Sequence, residues 1–483
     1  MRIKEHPILN FDRKKEIYFY YNGKKIKAYE GETIASALHA EKIKVLSRSI
    51  KLKRPRGFFC GIGKCSSCLM KVNGIPNVRT CITLAKEGMI VEDNDLELPE
   101  KSSEKDYPEC KFEKIECEIA IVGGGPAGLS AGIESSEFAD VLIIDENHRL
   151  GGQLIKQTHK FFGSKEEKAG TRGIEIAKEL EKEAIKKCRV LLNTSIIGYY
   201  DRGYHFLVGT NKTERIVYEI KADKIIFATG AQENMLVFEG NDLPGVYGAG
   251  GVQTLMNVYG IKPGNIGLIV GAGNVGLILA YQLLQAGVDV ACIVEAMPKI
   301  GGYFVHSAKI RRCGIPIYTS HSIKEAYGNE KVEGAVIVEL DENWNIIDGS
   351  EKKIPCDFIC LAVGLTPSTR LVAQTGAEIS FINEAGGWVA LHNEYMETTK
   401  KGIYVAGDSA NIEEASTAMI EGKIAGLHAV NSLKGVSDFE SKIEKYLKEI
   451  NVFRQGYFGF RPKKAKEKII EEYYEKMGKG RNS

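Results

Sequence analysis

The chain has 483 residues, of which 43% are hydrophobic and 27% charged, a composition that excludes a largely disordered protein. Lys and Arg total 65 against 63 Asp and Glu, so the net charge of +2 gives no general attraction to nucleic acid or anionic membranes. At roughly 150 residues per domain, this length predicts about three domains. The 11 cysteines are an odd number and no apolar signal segment opens the sequence, so we expect reduced thiols in a cytoplasmic protein.

The first predicted domain, residues 1–97, opens with a β-rich stretch in which Asn22-Gly23 predicts a two-residue hairpin turn. A helix-like segment (ASALHAEKI) follows. Next comes a basic run that has no acidic residue among its 15 positions and contains Lys42, Lys44, Arg48, Lys51, Lys53, Arg54 and Arg56. The run is interpreted either as a solvated basic face or as a docking surface for an acidic partner or a nucleotide phosphate. Nucleic acid is disfavoured because no recognition module accompanies the charge.

Four cysteines follow the basic run with the spacing C-x4-C-x2-C, then 12 residues and a last cysteine. They are Cys60, Cys65, Cys68 and Cys81. This is the plant-type spacing of a 2Fe-2S cluster, in which one loop holds three thiolates and the fourth arrives from a neighbouring turn. Gly61 and Gly63 permit the tight turns of such a loop. A zinc site, which usually has paired CxxC motifs, remains an alternative, as do free thiols or disulfides.

Beyond a polar linker at 98–114, strand-like apolar runs alternate with glycine turns and amphipathic helices, the pattern of a parallel α/β sheet. Two similar glycine motifs divide this region. We predict an FAD-binding domain from 115–240 and 355–435, interrupted by a second nucleotide domain at 241–354. The charged segment 436–483 is interpreted as a surface extension or interface arm.

The first glycine motif, EIAIVGGGPAGLSAG, lies between a predicted strand and a predicted helix. Gly123 permits the tight turn, Gly125 lets the backbone approach a pyrophosphate, and Gly128 lets the helix pack on the strand. The helix N-terminus offers N–H groups to that phosphate. Asp145 ends the next strand 17 residues after Gly128, where a carboxylate accepts hydrogen bonds from an adenosine ribose.

Further turns identify the first nucleotide as FAD. The turn at Thr229-Gly230 ends an apolar strand and is expected near the adenine side, and Asp408 is expected to bind ribityl hydroxyls. A helix starting in EEASTAMIEGKIAG would direct its N-terminus to the flavin N1–C2=O edge and stabilise reduced, anionic flavin. The predicted FAD residues beyond the first motif are Gly152, Gln153, Thr229, Gly230, Gly407 and Asp408.

The second motif, GLIVGAGNVG, repeats the first with Gly271, Gly273 and Gly276, and Glu295 ends the following strand. An acid at this position suits a free ribose 2′-OH and repels a 2′-phosphate, so NAD(H) is favoured over NADP(H). ATP or ADP in a structural role would satisfy the same residues, and an empty fold also remains open. The uncharged stretch Pro263–Val288 predicts a strand, a glycine turn and a buried helix rather than a membrane span.

The order of these motifs resembles a family that comprises the α subunit of heterotetrameric sarcosine oxidase and its relatives. The opening (YEGETIASALHAEKIKVLSRSIKLKRPRG) is similar to that α subunit, and CGIGKCSSC resembles the small iron–sulfur subunit of hydrogen cyanide synthase and opine oxidases. The remainder to about residue 435 resembles the flavoprotein subunits of those enzymes and of dye-linked proline dehydrogenases.

The resemblance implies a ferredoxin-like β-grasp 2Fe-2S domain followed by a flavoprotein with two Rossmann-like units. It implies FAD, a cluster bound by the four cysteines, and a second nucleotide site. It also implies a hetero-oligomer with a D-amino-acid-oxidase-like FAD β subunit, with or without a small iron–sulfur subunit. The chain departs from several relatives because no cysteine follows Cys360, which leaves their full electron path in question.

The function predicted from these residues is an electron-transfer subunit of an amine or amino-acid dehydrogenase complex, passing electrons to a one-electron carrier. The alternatives are a self-sufficient NADH-dependent reductase and a non-catalytic nucleotide-binding scaffold. No acid–base pair for substrate chemistry stands out. A disulfide reductase is disfavoured because Cys65 and Cys68 lie inside the cluster loop, while Cys356 and Cys360 lie on an apolar strand and are predicted to be buried core residues.

Overall fold

The computed structural model of the chain divides it into two compact units. Unit 1 comprises Met1–Lys101 and Glu233–Gly364, and unit 2 comprises Ser102–Gln232 and Leu365–Ser483. The structure describes residues 1–94, 109–160, 168–456 and 458–478. Unit 1 therefore joins the cysteine-bearing domain to the second predicted nucleotide domain, and unit 2 holds the first. Most of the predicted linker 98–114 lies outside the described residues.

The N-terminal part of unit 1 is built on a five-stranded mixed sheet with the strand order β2-β1-β7-β5-β6. Its elements are β1 (Glu16–Tyr21), β2 (Lys24–Tyr29), α1 (Ile34–Ala40), β3 (Ser47–Arg48), β4 (Pro55–Arg56), β5 (Leu69–Val72), β6 (Ile75–Arg79) and β7 (Ile90–Glu92). Asn22 and Gly23 connect β1 to β2 with φ of 46° and 78°. Positive φ at both central residues is the geometry that Asn-Gly favours in tight hairpins, so the predicted turn is confirmed.

The chain then enters unit 2 with a parallel sheet in the order β10-β9-β8-β13, to which β12 and β11 add antiparallel. The elements are β8 (Lys111–Val122), α2 (Pro126–Ser135), β9 (Val141–Ile144), α3 (Gly173–Lys187), β10 (Arg189–Leu191), β11 (Ser195–Asp201), β12 (His205–Asn211), β13 (Ile216–Phe227) and β14 (Ala231–Glu233). Strand β9 is buried along its whole length, as expected when helices cover both faces of a parallel sheet.

The second part of unit 1 holds a five-stranded, wholly parallel sheet in the order β15-β22-β16-β17-β18. The elements are β15 (Val246–Gly248), α4 (Ala249–Gln253), β16 (Ile266–Val270), α5 (Asn274–Gln285), β17 (Asp289–Glu295), α6 (Phe304–Arg312), β18 (Ile317–Thr319), β19 (His321–Tyr327), β20 (Gly334–Glu339), β21 (Lys352–Ile354) and β22 (Phe358–Leu361). Strand β16, a glycine turn and α5 account for the uncharged stretch. No helix among the described residues is long and apolar enough to cross a membrane.

The chain returns to unit 2, where β26 extends the parallel sheet beside β13. The elements are β23 (Leu365–Pro367), α7 (Arg370–Ala373), β24 (Ile379–Ile382), β25 (Gly387–Ala390), β26 (Ile403–Val405), α8 (Ala415–Lys434), α9 (Phe439–Phe453) and α10 (Phe460–Lys476). Helix α8 packs closely on α2, because Gly422 and Gly426 let the two helix backbones approach.

The C-terminal segment differs from the predicted surface arm, because α9 and α10 bury apolar faces within unit 2. Phe439, Ile443 and Ile450 of α9 join the core around the parallel sheet. Ala465 and Ile469 of α10 pack with residues of β24 and β25. These apolar positions recur at helical spacing, so hydrophobic burial fixes both helices on the domain.

Within unit 1 the cysteine-bearing domain contacts the second nucleotide domain through backbone as well as side chains. The Phe59 carbonyl accepts a hydrogen bond from the Gly248 N–H at 3.2 Å, and the Ile3 N–H donates to the Gly260 carbonyl at 2.7 Å. A Cβ on Gly251 would lie 1.9 Å from the Phe59 carbonyl oxygen. Only glycine permits this approach, which fixes the start of the cysteine loop against β15 and α4.

Candidate iron–sulfur and nucleotide sites

The four predicted cluster ligands lie together. Cys60, Cys68 and Cys81 are buried and Cys65 is half-buried. The Cys60 thiol is close enough to those of Cys65 and Cys81, and the Cys68 thiol to that of Cys81, for each contact to shift a pKa. Contact with Cys65 and then Cys81 lowers the pKa of the Cys60 thiol, and contact with Cys60 raises the pKa of the Cys65 and Cys81 thiols. These contacts make the four thiols neighbours in the fold, although the described residues contain no group of three or more His, Cys, Asp or Glu side chains already arranged to hold a metal ion.

The backbone of the cysteine loop turns sharply. Gly61, Gly63 and Ser66 have φ of 65°, 74° and 61°. The Ile62 and Lys64 N–H groups donate hydrogen bonds to the Cys60 sulfur. Hydrogen bonds to ligand sulfurs are one of the terms that set the reduction potential of an iron–sulfur cluster.

The donor set fits a two-iron cluster better than zinc. A plant-type 2Fe-2S cluster shares four thiolates between two irons, three of them from one loop. Here the fourth, Cys81, follows β6, and the preceding Thr80 hydroxyl donates to the Cys68 carbonyl at 2.6 Å, which holds this turn against the loop. Structural zinc sites more often use two paired C-x2-C motifs, whereas this sequence has a single one, Cys65 to Cys68.

The first glycine loop connects β8 to α2 in the geometry of a phosphate cradle. Gly123 has φ of 113°, and a Cβ on it would lie 2.2 Å from the Ala228 carbonyl oxygen. A Cβ on Gly128 would lie 1.9 Å from the Gly123 carbonyl oxygen. Gly125 caps α2, and a Cβ on it would have only the Gly152 Cα near it, at 3.8 Å. The backbone at Gly125, where the helix begins, is thus open to the approach of a pyrophosphate.

Asp145 follows β9 and is buried beside this loop. Its Oδ2 accepts the Gly124 N–H at 2.7 Å, and its Oδ1 accepts the N–H and side-chain amide of Asn147 at 2.8 and 2.9 Å. Burial raises the pKa of the Asp145 carboxyl above its ordinary value, and these hydrogen bonds oppose the rise. A carboxylate keeps lone pairs beyond these contacts, so it can also accept ribose hydroxyls.

Arg149 is a residue that the sequence analysis missed. Its Nε and Nη2 atoms are buried and have no hydrogen-bond partner among the described residues. It stands two residues before Gly151-Gly152, and a Cβ on Gly152 would lie 2.7 Å from the Gly125 Cα. A buried guanidinium without an acceptor is costly unless a ligand supplies the anion. FAD carries such an anion in its pyrophosphate, so the residues present fit this cofactor.

The other predicted FAD residues occupy turns at strand ends of the same unit. Thr229 follows β13 and donates its hydroxyl to the Ser368 carbonyl at 2.8 Å, and Gly230 has φ of 65° with open space beside it. Gln153 lies on a short 3-10 turn and is exposed, so its side chain makes no described contact in the loop. Asp408 follows β26, and burial raises the pKa of its carboxyl to about 7.

A buried ionic network supports the Gly407-Asp408 turn, and its members were not predicted as site residues. The Gly407 N–H donates to Glu421 Oε2 at 2.9 Å, and Glu421 Oε1 accepts Arg454 at 2.6 Å and Lys466 at 2.8 Å. Lys466 also lies 2.9 Å from His392 Nε2, and Arg454 pairs with a second carboxylate 2.8 Å away. Helices α9 and α10 flank this network. The C-terminal segment therefore supplies the two cations that stabilise the predicted flavin turn.

The second glycine loop, between β16 and α5, repeats the first. A Cβ on Gly271 would lie 2.3 Å from the Ala362 carbonyl oxygen, and a Cβ on Gly276 would lie 2.0 Å from the Gly271 carbonyl oxygen. Gly273 has nothing within 4 Å of its Cβ position. Glu295 Oε2 accepts the Ala272 N–H at 2.7 Å. The acid therefore stands at the loop as predicted, and its side chain is partly exposed to solvent.

The comparisons with known proteins agree with this architecture. Residues 117–422 match the family described as pyridine nucleotide-disulphide oxidoreductase. The chain belongs to this family. Residues 14–95 match the 2Fe-2S iron-sulfur cluster binding domain. These matches confirm the predicted fold class, a ferredoxin-like domain followed by a two-nucleotide flavoprotein, and the oxidoreductase, flavoprotein and iron–sulfur classes.

Similar proteins include the alpha subunit of sarcosine oxidase from Corynebacterium sp. (strain P-1), 24% identical over 83% of this chain and 43% of the relative. The hydrogen cyanide synthase subunit HcnB of Pseudomonas protegens is 27% identical over 70% of this chain and 73% of the relative. The crystal structure of L-proline dehydrogenase from P. horikoshii matches with a TM-score of 0.68 and 27% identity, over 91% of this chain and 79% of that one.

The resemblance that the motifs indicated is therefore confirmed. The chain spans less than half the length of the sarcosine oxidase subunits that it matches. Cys356 and Cys360, predicted as core residues, are both buried. The identity of the second nucleotide stays a prediction.

Proposed function

We propose that the chain is the electron-transfer subunit of an amine or amino-acid dehydrogenase complex. One observation carries the proposal: four neighbouring cysteines with the 2Fe-2S spacing, and a glycine loop followed by Arg149, whose buried Nε and Nη2 have no partner among the described residues, occur in a single chain. When bound, a flavin accepts two electrons together and an iron–sulfur cluster passes them on singly, which suits delivery to a one-electron carrier.

In this proposal, separate groups of residues bind the parts of FAD and the two irons. The backbone at Gly125 and the Arg149 guanidinium would bind the FAD pyrophosphate, and Asp145 would bind the adenosine ribose. Asp408 would bind ribityl hydroxyls, and the positive N-terminal end of α8 would stabilise negative charge on the reduced flavin. Four thiolates would bind the two irons: those of Cys60, Cys65, Cys68 and Cys81.

The amine-oxidising step is assigned to a partner subunit. Curated relatives are named as subunits of sarcosine oxidase, opine oxidase and hydrogen cyanide synthase, which supports a hetero-oligomer. We infer a D-amino-acid-oxidase-like FAD β subunit, with or without a small iron–sulfur subunit. The partner would remove a hydride and a proton from a CH–NH donor to give an imine, and the electrons would pass to this chain.

A cysteine exchange tests the iron–sulfur assignment. Cys65→Ala removes one ligand, and the purified variant should lose the rhombic EPR signal of the dithionite-reduced protein while retaining FAD absorbance. Cys313→Ser, at an exposed cysteine of the same unit, is the matched control and should keep the signal. An unchanged signal in Cys65→Ala would show that the ligand assignment is wrong.

A second candidate function is a self-sufficient NADH-dependent reductase, which the Glu295 geometry favours. A carboxylate at this position accepts the 2′- and 3′-hydroxyls of an NADH ribose. Anaerobic addition of NADH separates the candidates, because bleaching of the flavin indicates a reductase. Bleaching by dithionite alone supports a complex that takes electrons from an amine. A chain that no donor reduces would instead be a nucleotide-binding scaffold.

A further inference from the structure

The segment before the cysteine loop forms a small exposed hairpin, here called the basic hairpin and defined as residues Ser47–Arg56. Strands β3 and β4 pair antiparallel at its base, with Ser47 opposite Arg56. At its tip, Ile50 and Leu52 are 62% and 71% exposed. Two large aliphatic side chains in the same tight tip expose apolar surface that packing of this chain leaves uncovered.

The charges of the basic hairpin separate into paired and unpaired groups. Arg48 pairs with Glu330 at 2.6 Å, and Arg54 and Arg56 reach Asp242 at 3.5 and 2.9 Å. These ion pairs tie the base of the hairpin to the nucleotide domain of the same unit. Lys51 and Lys53, which alternate with the two aliphatic side chains, are exposed and have no ion pair among the described residues. The tip therefore carries two free positive charges.

The base of the basic hairpin contacts the cysteine loop through Ser47. The Ser47 hydroxyl donates to the Ser67 carbonyl at 3.0 Å. Cys65 is the least buried of the four cysteines, and Ser66 beside it is exposed. The stretch between Cys65 and Cys68 is thus the side of the candidate cluster nearest to solvent, and the hairpin borders it.

We propose that the tip of the basic hairpin, together with Ser66, is the docking surface for a small acidic one-electron carrier protein. The inference rests on the proposed function and names the partner that the cluster would serve. Complexes between electron carriers are small and short-lived, so a compact apolar contact with charged neighbours suffices. Ile50 and Leu52 supply the contact, and Lys51 and Lys53 attract carboxylates on the carrier. One electron leaves the reduced cluster and one carrier is reduced, and no bond forms or breaks.

The test measures binding of the full chain to an acidic plant-type ferredoxin by isothermal titration calorimetry. Lys51→Glu/Lys53→Glu should raise the Kd at least about tenfold at low salt, because it replaces attraction by repulsion. Ile50→Ser/Leu52→Ser should raise the Kd about fivefold through lost apolar contact. Two other exposed lysines of the same domain serve as the control: Lys24→Glu/Lys86→Glu should leave the Kd within about twofold. The wild-type affinity should weaken as salt is raised, since surface charges are screened.

Failure to bind the ferredoxin, or equal Kd values for all variants, would overturn the proposal. The proposal would also be overturned if Lys51→Glu/Lys53→Glu kept its affinity for ferredoxin but no longer assembled with a co-purified partner subunit. The hairpin would then be a subunit interface. The EPR signal of the reduced protein is recorded in parallel. Absence of the signal in wild type refutes the cluster, and hence the proposed function. An intact signal together with equal Kd values for all variants refutes only the docking surface.

Discussion

The two glycine loops of this chain share one hydrogen-bond scheme in different surroundings. In each, the residue after the first glycine donates its N–H to the acid at the end of the next strand, at 2.7 Å in both. In each, the carbonyl of that same residue accepts the N–H of a glycine from a Gly-Gly pair that follows the acid. Gly151 donates to the Gly124 carbonyl at 2.8 Å, and Gly302 of the pair Gly301-Gly302 donates to the Ala272 carbonyl at 3.0 Å. The repeated spacing of glycines and acid therefore produces the same local geometry twice.

The surroundings of the two loops separate them. Asp145 is buried, two buried donors of Arg149 have no partner in the described part of the chain, and the ionic network on Glu421 supports the Gly407 turn of the same unit. Beside the second loop Glu295 is partly exposed, and Phe304, which follows the Gly-Gly pair, is 82% exposed. We therefore expect the first site to retain its nucleotide and the second to exchange it, because a ligand that neutralises buried charge costs more to release.

Disruption of the buried ionic network should have the largest effect on the stability of the protein. The network supports the first site, so its loss also tests the difference between the two sites. Glu421→Gln removes the charge that compensates Lys466 and Arg454, and breaking a buried pair costs about 3–5 kcal/mol of unfolding free energy. Thermal and urea unfolding of the purified variant should show this loss together with release of FAD. The double variant Glu421→Gln/Lys466→Met balances the charge and should recover part of the stability. A single variant as stable as wild type would mean that the network does not support the flavin turn.

Matched glycine exchanges compare the loops directly. Gly128→Ala and Gly276→Ala each push a methyl group against a carbonyl oxygen, 1.9 and 2.0 Å away, so each should cost about 1–3 kcal/mol. Only Gly128→Ala should abolish FAD retention, measured as the ratio of flavin to protein absorbance. Gly301→Ala is the control, because nothing lies within 4 Å of its Cβ position. Equal FAD loss in both loop variants would contradict the assignment of FAD to the first loop.

Substitution of each of the two acids should have the smallest effect of these variants, and each substitution should affect only the nucleotide of its own loop. Asp145→Asn and Glu295→Gln each weaken hydrogen bonds to a charged acceptor, which are worth about 1.5–3 kcal/mol, so each should lower affinity for its own nucleotide about tenfold or more. Equilibrium dialysis with FAD and calorimetry with NADH measure the two affinities. An NADH affinity that is unaltered in Glu295→Gln would favour an adenine nucleotide or an empty second fold.

The sequence predicted the parts of these sites that depend on short spacing. The cysteine loop, both glycine loops, their acids and the Asn22-Gly23 turn each depend on residues close together in the chain, where local backbone geometry decides the structure. The Gly407 turn was also predicted from the sequence, because a strand, a glycine and an acid occur in succession. Gln153, by contrast, is exposed although it follows the Gly-Gly pair directly.

The features that the sequence did not reveal depend on residues far apart in the chain. Arg454 and Lys466 lie in a highly charged segment, and nothing local distinguishes them from surface residues until Glu421 is placed beside them. The apolar spacing of Phe439, Ile443 and Ile450 was the available signal that the C-terminal segment packs on a domain. The ion pairs that hold the basic hairpin likewise join it to Asp242 and Glu330, which belong to a distant part of the chain.

The central claim is that one chain carries a flavin and a one-electron cluster together. An anaerobic titration of the purified chain with dithionite tests it most directly, with absorbance following the flavin and EPR following the cluster. We expect an uptake of about three electrons per chain, two for the flavin and one for the cluster. Two electrons without an EPR signal from the cluster, or one electron without flavin bleaching, would contradict it.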